Sequence, residues 1–104
     1  MTVTIVGFQD MHFAELETAM EKLISQSQCF LFNVLASKGS VGERWAQKNG
    51  APIVYPTDKS LEFLIKNADY FMIYNDGSVP MHRLIHQIMK SGKHGTILGQ
   101  EYKK

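Results

Sequence analysis

Short apolar runs alternate along the chain with stretches of helical periodicity, regularly enough to predict an element order. Val3-Thr4-Ile5-Val6 is β-branched and ends at Gly7, the pattern of a buried strand with a sharp exit. From Met11 to about Ser27, Phe13, Leu16, Met20, Leu23 and Ile24 recur at helical spacing, and Asp10 is placed to cap that helix. Phe30 to Leu35 predicts a second strand, which leads into Ala36-Ser37-Lys38-Gly39. Ser40-Val41-Gly42-Glu43 has the form of a capping box, in which Ser and Glu side chains satisfy free backbone N–H groups. The helix that starts there carries Val41 and Trp45 inward and stops at Gly50, with Pro52 behind it.

Ile53-Val54-Tyr55 predicts a third strand, and Asp58 is placed to cap a short helix through Leu61, Leu64, Ile65 and Ala68. Tyr70 to Tyr74 is apolar throughout and predicts a strand buried on both faces. Asn75-Asp76-Gly77-Ser78 is a turn into a helix with Met81, Leu84, Ile85, Ile88 and Met89 on one side, closing at Gly92. Thr96-Ile97-Leu98 is the last strand, and the polar Gln100 to Lys104 tail is expected to fray. This β-α-β-α-β-α-β-α-β order predicts one α/β domain over residues 1–104. Its mainly parallel five-stranded sheet is flanked by about four helices, in three layers.

Composition narrows the function classes. One domain's worth of chain, 104 residues, is 44% hydrophobic and 20% charged, an ordinary globular balance. Eleven Lys and Arg against ten Asp and Glu leave a net charge of +1, too weak a field to favour a nucleic-acid partner. Cys29 is the single cysteine and stands in an apolar run, which fits a buried thiol in a reducing, cytoplasmic setting. No segment approaches the roughly 18 apolar residues of a membrane span, and no signal-peptide pattern opens the chain.

In a parallel sheet of this kind ligands sit beyond the carboxyl ends of the strands. Three loops there join a strand to a helix start and carry Gly with Ser, Asn or Asp: Gly7-Phe8-Gln9-Asp10, Ser37-Lys38-Gly39-Ser40 and Asn75-Asp76-Gly77-Ser78. Free N–H groups at a helix start favour a phosphate or another anion. Serine hydroxyls and Lys38 can add to that, and Gly39 and Gly77 let backbone approach a ligand. These twelve residues are the expected ligand-binding set. No metal spacing stands out: His82 and His86 lie four apart but lack an acidic third ligand, and His12 and His94 are isolated. Trp45 and the methionines read as core or interface fillers. The G-x-G-x-x-G fingerprint is missing, so an ordinary dinucleotide oxidoreductase has no positive support, and no cofactor is expected.

The strand, glycine loop and helix at Thr4-Ile5-Val6-Gly7 resemble the start of the SLOG superfamily, and Trp45-Ala46 followed by Asn49-Gly50-Ala51-Pro52-Ile53-Val54 is similar to its small YspA/YpsA-related branch. Asp76-Gly77-Ser78, and Gly92-Lys93-His94 before Thr96-Ile97-Leu98, match its later elements. The resemblance implies a Rossmann-like fold and binding of a nucleotide or nucleotide-derived small molecule, in a sensor or sequestering protein like those of bacterial and phage conflict systems. Two departures stand out: Ser37-Lys38-Gly39 replaces a Gly-x-Asp, and Pro80-Met81 replaces a Gly-Thr. At the position of the catalytic glutamate of the LOG enzymes stands Leu84, so no catalytic residue is expected. A nucleotide-processing hydrolase and a ligand-free interaction adaptor are the alternatives. A domain this small encloses only part of a nucleotide, so a homo-oligomer is expected, paired through the helix from Pro80 to Lys90.

Overall fold

The computed structural model describes residues 1–27, 32–58 and 60–99. The expectations for Cys29, Phe30 and Leu31 and for the Gln100 to Lys104 tail lie outside the described residues. Five strands and four helices alternate in the predicted order: β1 (Thr2–Val6), α1 (Phe13–Gln26), β2 (Asn33–Leu35), α2 (Val41–Asn49), β3 (Ile53–Val54), α3 (Leu61–Asn67), β4 (Tyr70–Asn75), α4 (Val79–Lys90) and β5 (His94–Gly99). All four strand pairings are parallel, and the order across the sheet is β3-β2-β1-β4-β5.

Each crossover is a helix, and two directions of travel put two helices on each face. From β1 the chain steps through β2 to β3, so α1 and α2 share one face under the right-handed crossover rule. Val3, Ile5, Val34 and Met72 meet Leu16, Met20, Leu23, Val41, Trp45 and Ala46 there. The return across the sheet to β4 and on to β5 puts α3 and α4 on the other face. Leu35, Phe71 and Ile73 pack there with Ile85 and Ile88. Trp45 is core, as its place on the apolar side of α2 predicts. The result is a Rossmann-like three-layer sandwich.

Several local expectations are corrected. Asp10 does not cap α1; it opens a single 3-10 turn, Asp10–His12, that precedes the helix, and its carboxylate reaches Arg44 at 3.5 Å. The cap of α3 is Ser60, whose hydroxyl accepts the Phe63 amide at 3.2 Å, while Asp58 accepts the Ser60 amide at 2.8 Å one step earlier. Both aspartates sit two residues before the cap position, and a cap must lie immediately before the first helical residue. At α2 the Ser40 hydroxyl accepts the Glu43 amide at 3.2 Å as predicted, but the Glu43 carboxylate takes the Gly39 amide instead of closing back on Ser40. Ile24 stands at the margin of its stripe and is exposed. Gly50, at φ 68, ends α2 in the left-handed conformation that its position predicts.

Candidate functional site

Parallel strands send all their carboxyl ends to one edge, so the three predicted loops emerge on the same side of the sheet. The strand order reverses between β1 and β4, with β2 flanking β1 on one side and β4 flanking it on the other. Successive connections diverge at such a point, which is where doubly wound folds take their ligands. Gly7–Asp10 and Asp76–Ser78 stand on its two sides, and Ser37–Ser40 is the neighbouring loop beyond β1.

A ring cluster floors the switch point. Tyr74 stacks on His12, with centroids 3.7 Å apart and planes 14° from parallel, and meets Phe8 at 5.5 Å with a 60° tilt. All three rings are half-buried. The His12 ring is oriented by the Gln9 amide, which donates to Nδ1 at 3.2 Å and leaves Nε2 as the protonated nitrogen of the neutral ring. Gly7, at φ 83, lies directly against the Tyr74 carbonyl and the Met81 methyl. The Arg44 guanidinium lies 4.5 Å from the Phe13 ring centre and also meets Asp10, tying the first loop to α2.

The loops differ in what they can still offer a ligand. At the start of α4 most amides are spent locally, with Val79 the exception: Gly77 donates to Asn75 Oδ1 at 2.9 Å, Ser78 to Asp76 Oδ1 at 2.8 Å, and Met81 to the Ser78 hydroxyl at 3.3 Å. Pro80 has no N–H. Asn75 itself is buried, so its side chain serves the turn. The Ser78 hydroxyl and amide hold the Asp76 carboxyl below its ordinary range, which keeps a negative charge at this helix start. That charge stands against an incoming anion here, as the Glu43 carboxylate, which takes the Gly39 amide, does in part at the start of α2.

The start of α2 is more open. Ser37, Lys38 and Gly39 are exposed, and Ser37 and Lys38 line a groove of about 450 Å³ with Tyr55 and Pro56 from beyond β3. Lys38 makes no ion pair among the described residues, and the amides of Val41 and Gly42 have no acceptor there either. A Cβ on Gly42 would come within 2.9 Å of Ile5 Cβ, so glycine here lets α2 press its first turn against β1. Gly39 is needed for its backbone, at φ 82, since a Cβ there would meet nothing within 4 Å.

Sequence reasoning missed Tyr74, His12, Tyr55 and Arg44. The first two come together only through the β1–β4 neighbourhood, and Tyr55 meets Glu43 only because β3 lies beside β2. The Tyr55 hydroxyl donates to the Glu43 carboxylate at 2.6 Å. With that bond as the first cause, then the Gly39 amide and the Lys38 charge, Glu43 is held below the ordinary value of 4.5. A carboxylate depressed by folding contributes stability above its unfolded value and loses it as pH falls through its folded value. Melting temperature should therefore decline on acidification below about pH 4.5, and Glu43→Gln should flatten part of that decline. An unchanged acid limb in Glu43→Gln would show that the Tyr55–Glu43 bond carries none of it.

Among the described residues no group of three or more His, Cys, Asp or Glu is placed to hold a metal ion, and no helix is long and apolar enough to cross a membrane. Fold and edge together define an α/β protein of Rossmann-like architecture with an aromatic switch point and a basic, glycine-containing loop beside it. Compared with protein-family profiles, curated proteins and solved structures, the chain finds no match in any of the three.

Proposed function

We propose that the protein binds a phosphorylated small molecule of nucleotide type at the carboxyl edge of its sheet, as a sensor or a sequestering protein. The observation that carries this reading is the strand order, which sets the reversal point between Gly7–Asp10 and the end of β4 and brings Ser37–Ser40 alongside. The rings of Phe8, His12 and Tyr74 suit a nucleobase, since aromatic side chains stack on any base face. Lys38, the Ser37 hydroxyl and the free first-turn amides of α2 suit a phosphate. The resemblance to SLOG proteins points the same way.

Binding rather than turnover is the favoured activity. Leu84, at the position of the family's glutamate, packs against the α3–α4 core and offers neither a proton nor a base. A thermal-shift series with nucleoside mono- and diphosphates, cyclic dinucleotides and ADP-ribose tests the reading. A ligand held at 100 times its Kd adds about 2.7 kcal/mol, a rise of several degrees in a domain of this size. Phosphorylated compounds should raise the melting temperature and the parent nucleosides should not. Lys38→Glu should abolish the rise, Tyr74→Ala should weaken it, and no free base should be released. Absence of any shift at millimolar ligand would remove nucleotide binding and favour an interaction adaptor.

A further inference from the structure

The two edges of the sheet are built differently. β3 is two residues long and sits between Pro52 and Pro56, so little of it can pair with anything. Short strands and prolines are the usual protection of an edge. β5 has six residues, pairs one-to-one with β4 from His94 to Gly99, and contains no proline, lysine or carboxylate. Among the described residues its outer row of backbone N–H and C=O groups faces no further strand.

Apolar surface flanks that row on both faces. On the α4 side Ile97 and Met89 are 46% and 69% exposed and border a groove of about 280 Å³ between helix and strand. On the α1 side a groove of about 610 Å³ runs beside β5, lined by Ala19, Leu23 and Leu98 and, along its polar part, by Glu15, Lys22 and Gln26. The rest of the α4 stripe is spent on its own sheet: Ile85 and Ile88 are buried, and Met81 and Leu84 are half-buried. The helix face expected to pair is thus reduced to Met89, next to the open strand.

We propose that two copies of the chain join through β5, antiparallel edge to edge, about a two-fold axis normal to the sheet. That operation reverses the strand direction, as antiparallel pairing requires, and keeps each face on its own side. Ile97 and Met89 of both copies then gather on the α4 face, where a partner of the same sequence supplies the same apolar surface. The pairing also closes: each copy uses its one open edge, and the proline-flanked β3 edges left outside stop the sheet from growing. A net charge of +1 puts little repulsion between the copies.

The edge is about 20 Å long at the rise of a strand, across a molecule whose shorter extents are 28 and 27 Å. The contact is therefore on the order of 500 Å² per copy, at the low end of specific interfaces. A contact of that size fits a dissociable dimer rather than a permanent one. Pairing through β5 uses none of the candidate ligand-binding loops.

Sedimentation velocity on the full chain, from low micromolar to sub-millimolar concentration, tests it. The sedimenting mass should rise toward twice 11.8 kDa. Ile97→Lys places a charge on the open edge and should keep the mass at that of one chain, while Val54→Lys, on the β3 edge, should leave the dimer intact. Amide exchange in β5 should slow with rising concentration while exchange in α2 does not, a readout that serves even where Ile97→Lys impairs folding. A single-chain mass at every concentration, dissociation by Val54→Lys instead of Ile97→Lys, or concentration-independent exchange in β5 would each overturn the assignment.

Discussion

Phe71→Ala is expected to cost about 3–5 kcal/mol, a large part of the roughly 5–15 kcal/mol that holds a domain of this kind together. Phe71 is fully buried in the second position of β4, against Leu35, Ile73, Ala68, Ile85 and Ile88. Its register neighbours are Thr4 in β1 and Gly95 in β5, so the ring lies under the α3–α4 layer with sheet on either side. A Cβ at Gly95 would come within 3.1 Å of the Phe71 Cβ, so backbone crowds the site from the β5 side. The hole left by alanine cannot collapse easily between two paired strands, which puts the cost high in the range. Urea unfolding should show a lower midpoint with an unchanged slope, the signature of lost stability rather than a changed denatured state. Val54→Ala on the exposed β3 edge should stay within about 0.5 kcal/mol. Comparable losses in the two variants would mean that the α3–α4 layer is not a close-packed core.

Phe71 also illustrates what the chain reveals by itself. The unbroken run Tyr70 to Tyr74 predicts a strand covered on both faces, and Phe71, Met72 and Ile73 are all buried. The alternation of apolar runs and helical stripes is enough for the parallel sheet and its layers, because a helix between strands leaves few topologies open. Strand order is a different matter. Right-handed crossovers fix which face a helix takes for a given direction of travel, but the direction is set by which hydrophobic faces fit, a tertiary choice that periodicity does not carry. The reversal between β1 and β4 therefore had no signature in the residues.

The same distinction divides the candidate site. Loops between a strand end and a helix start are readable from the pattern, so Gly7–Asp10, Ser37–Ser40 and Asn75–Ser78 could be picked out. The chemistry left to each loop depends on who its neighbours are. Asn75 and Asp76 read as polar groups available to a ligand, yet their acceptors take up the amides of their own turn. His12 reads as an isolated imidazole, yet it is stacked on Tyr74 from a strand some sixty residues away. Short-range pattern shows where polar groups occur and leaves open which of them are already used.

Gly7→Ala is expected to cost more than an ordinary glycine replacement, because two penalties meet at the switch point. At φ 83 the backbone is in the region that an L side chain enters at a cost of roughly 1–2 kcal/mol. An added Cβ would also be driven against the Tyr74 carbonyl oxygen and would stand 2.7 Å from the Met81 methyl. The methyl can swing away; the carbonyl belongs to the β4 backbone and cannot move without disturbing the strand. Gly39→Ala separates the two penalties, since Gly39 has nearly the same φ of 82 and open space where its Cβ would be. Gly39→Ala should therefore lose about 1–2 kcal/mol, and Gly7→Ala should lose at least about 1–3 kcal/mol more, in the range of an overpacked core. Stability alone does not capture the consequence. Displacing the Tyr74 carbonyl shifts the ring that stacks on His12 and meets Phe8, so near-ultraviolet circular dichroism of the aromatic cluster should change in Gly7→Ala under conditions where it remains folded, and should not change in Gly39→Ala. Equal losses in the two variants, with unaltered aromatic spectra in both, would show that the first loop does not press on the end of β4 and that the switch point is looser than its geometry indicates.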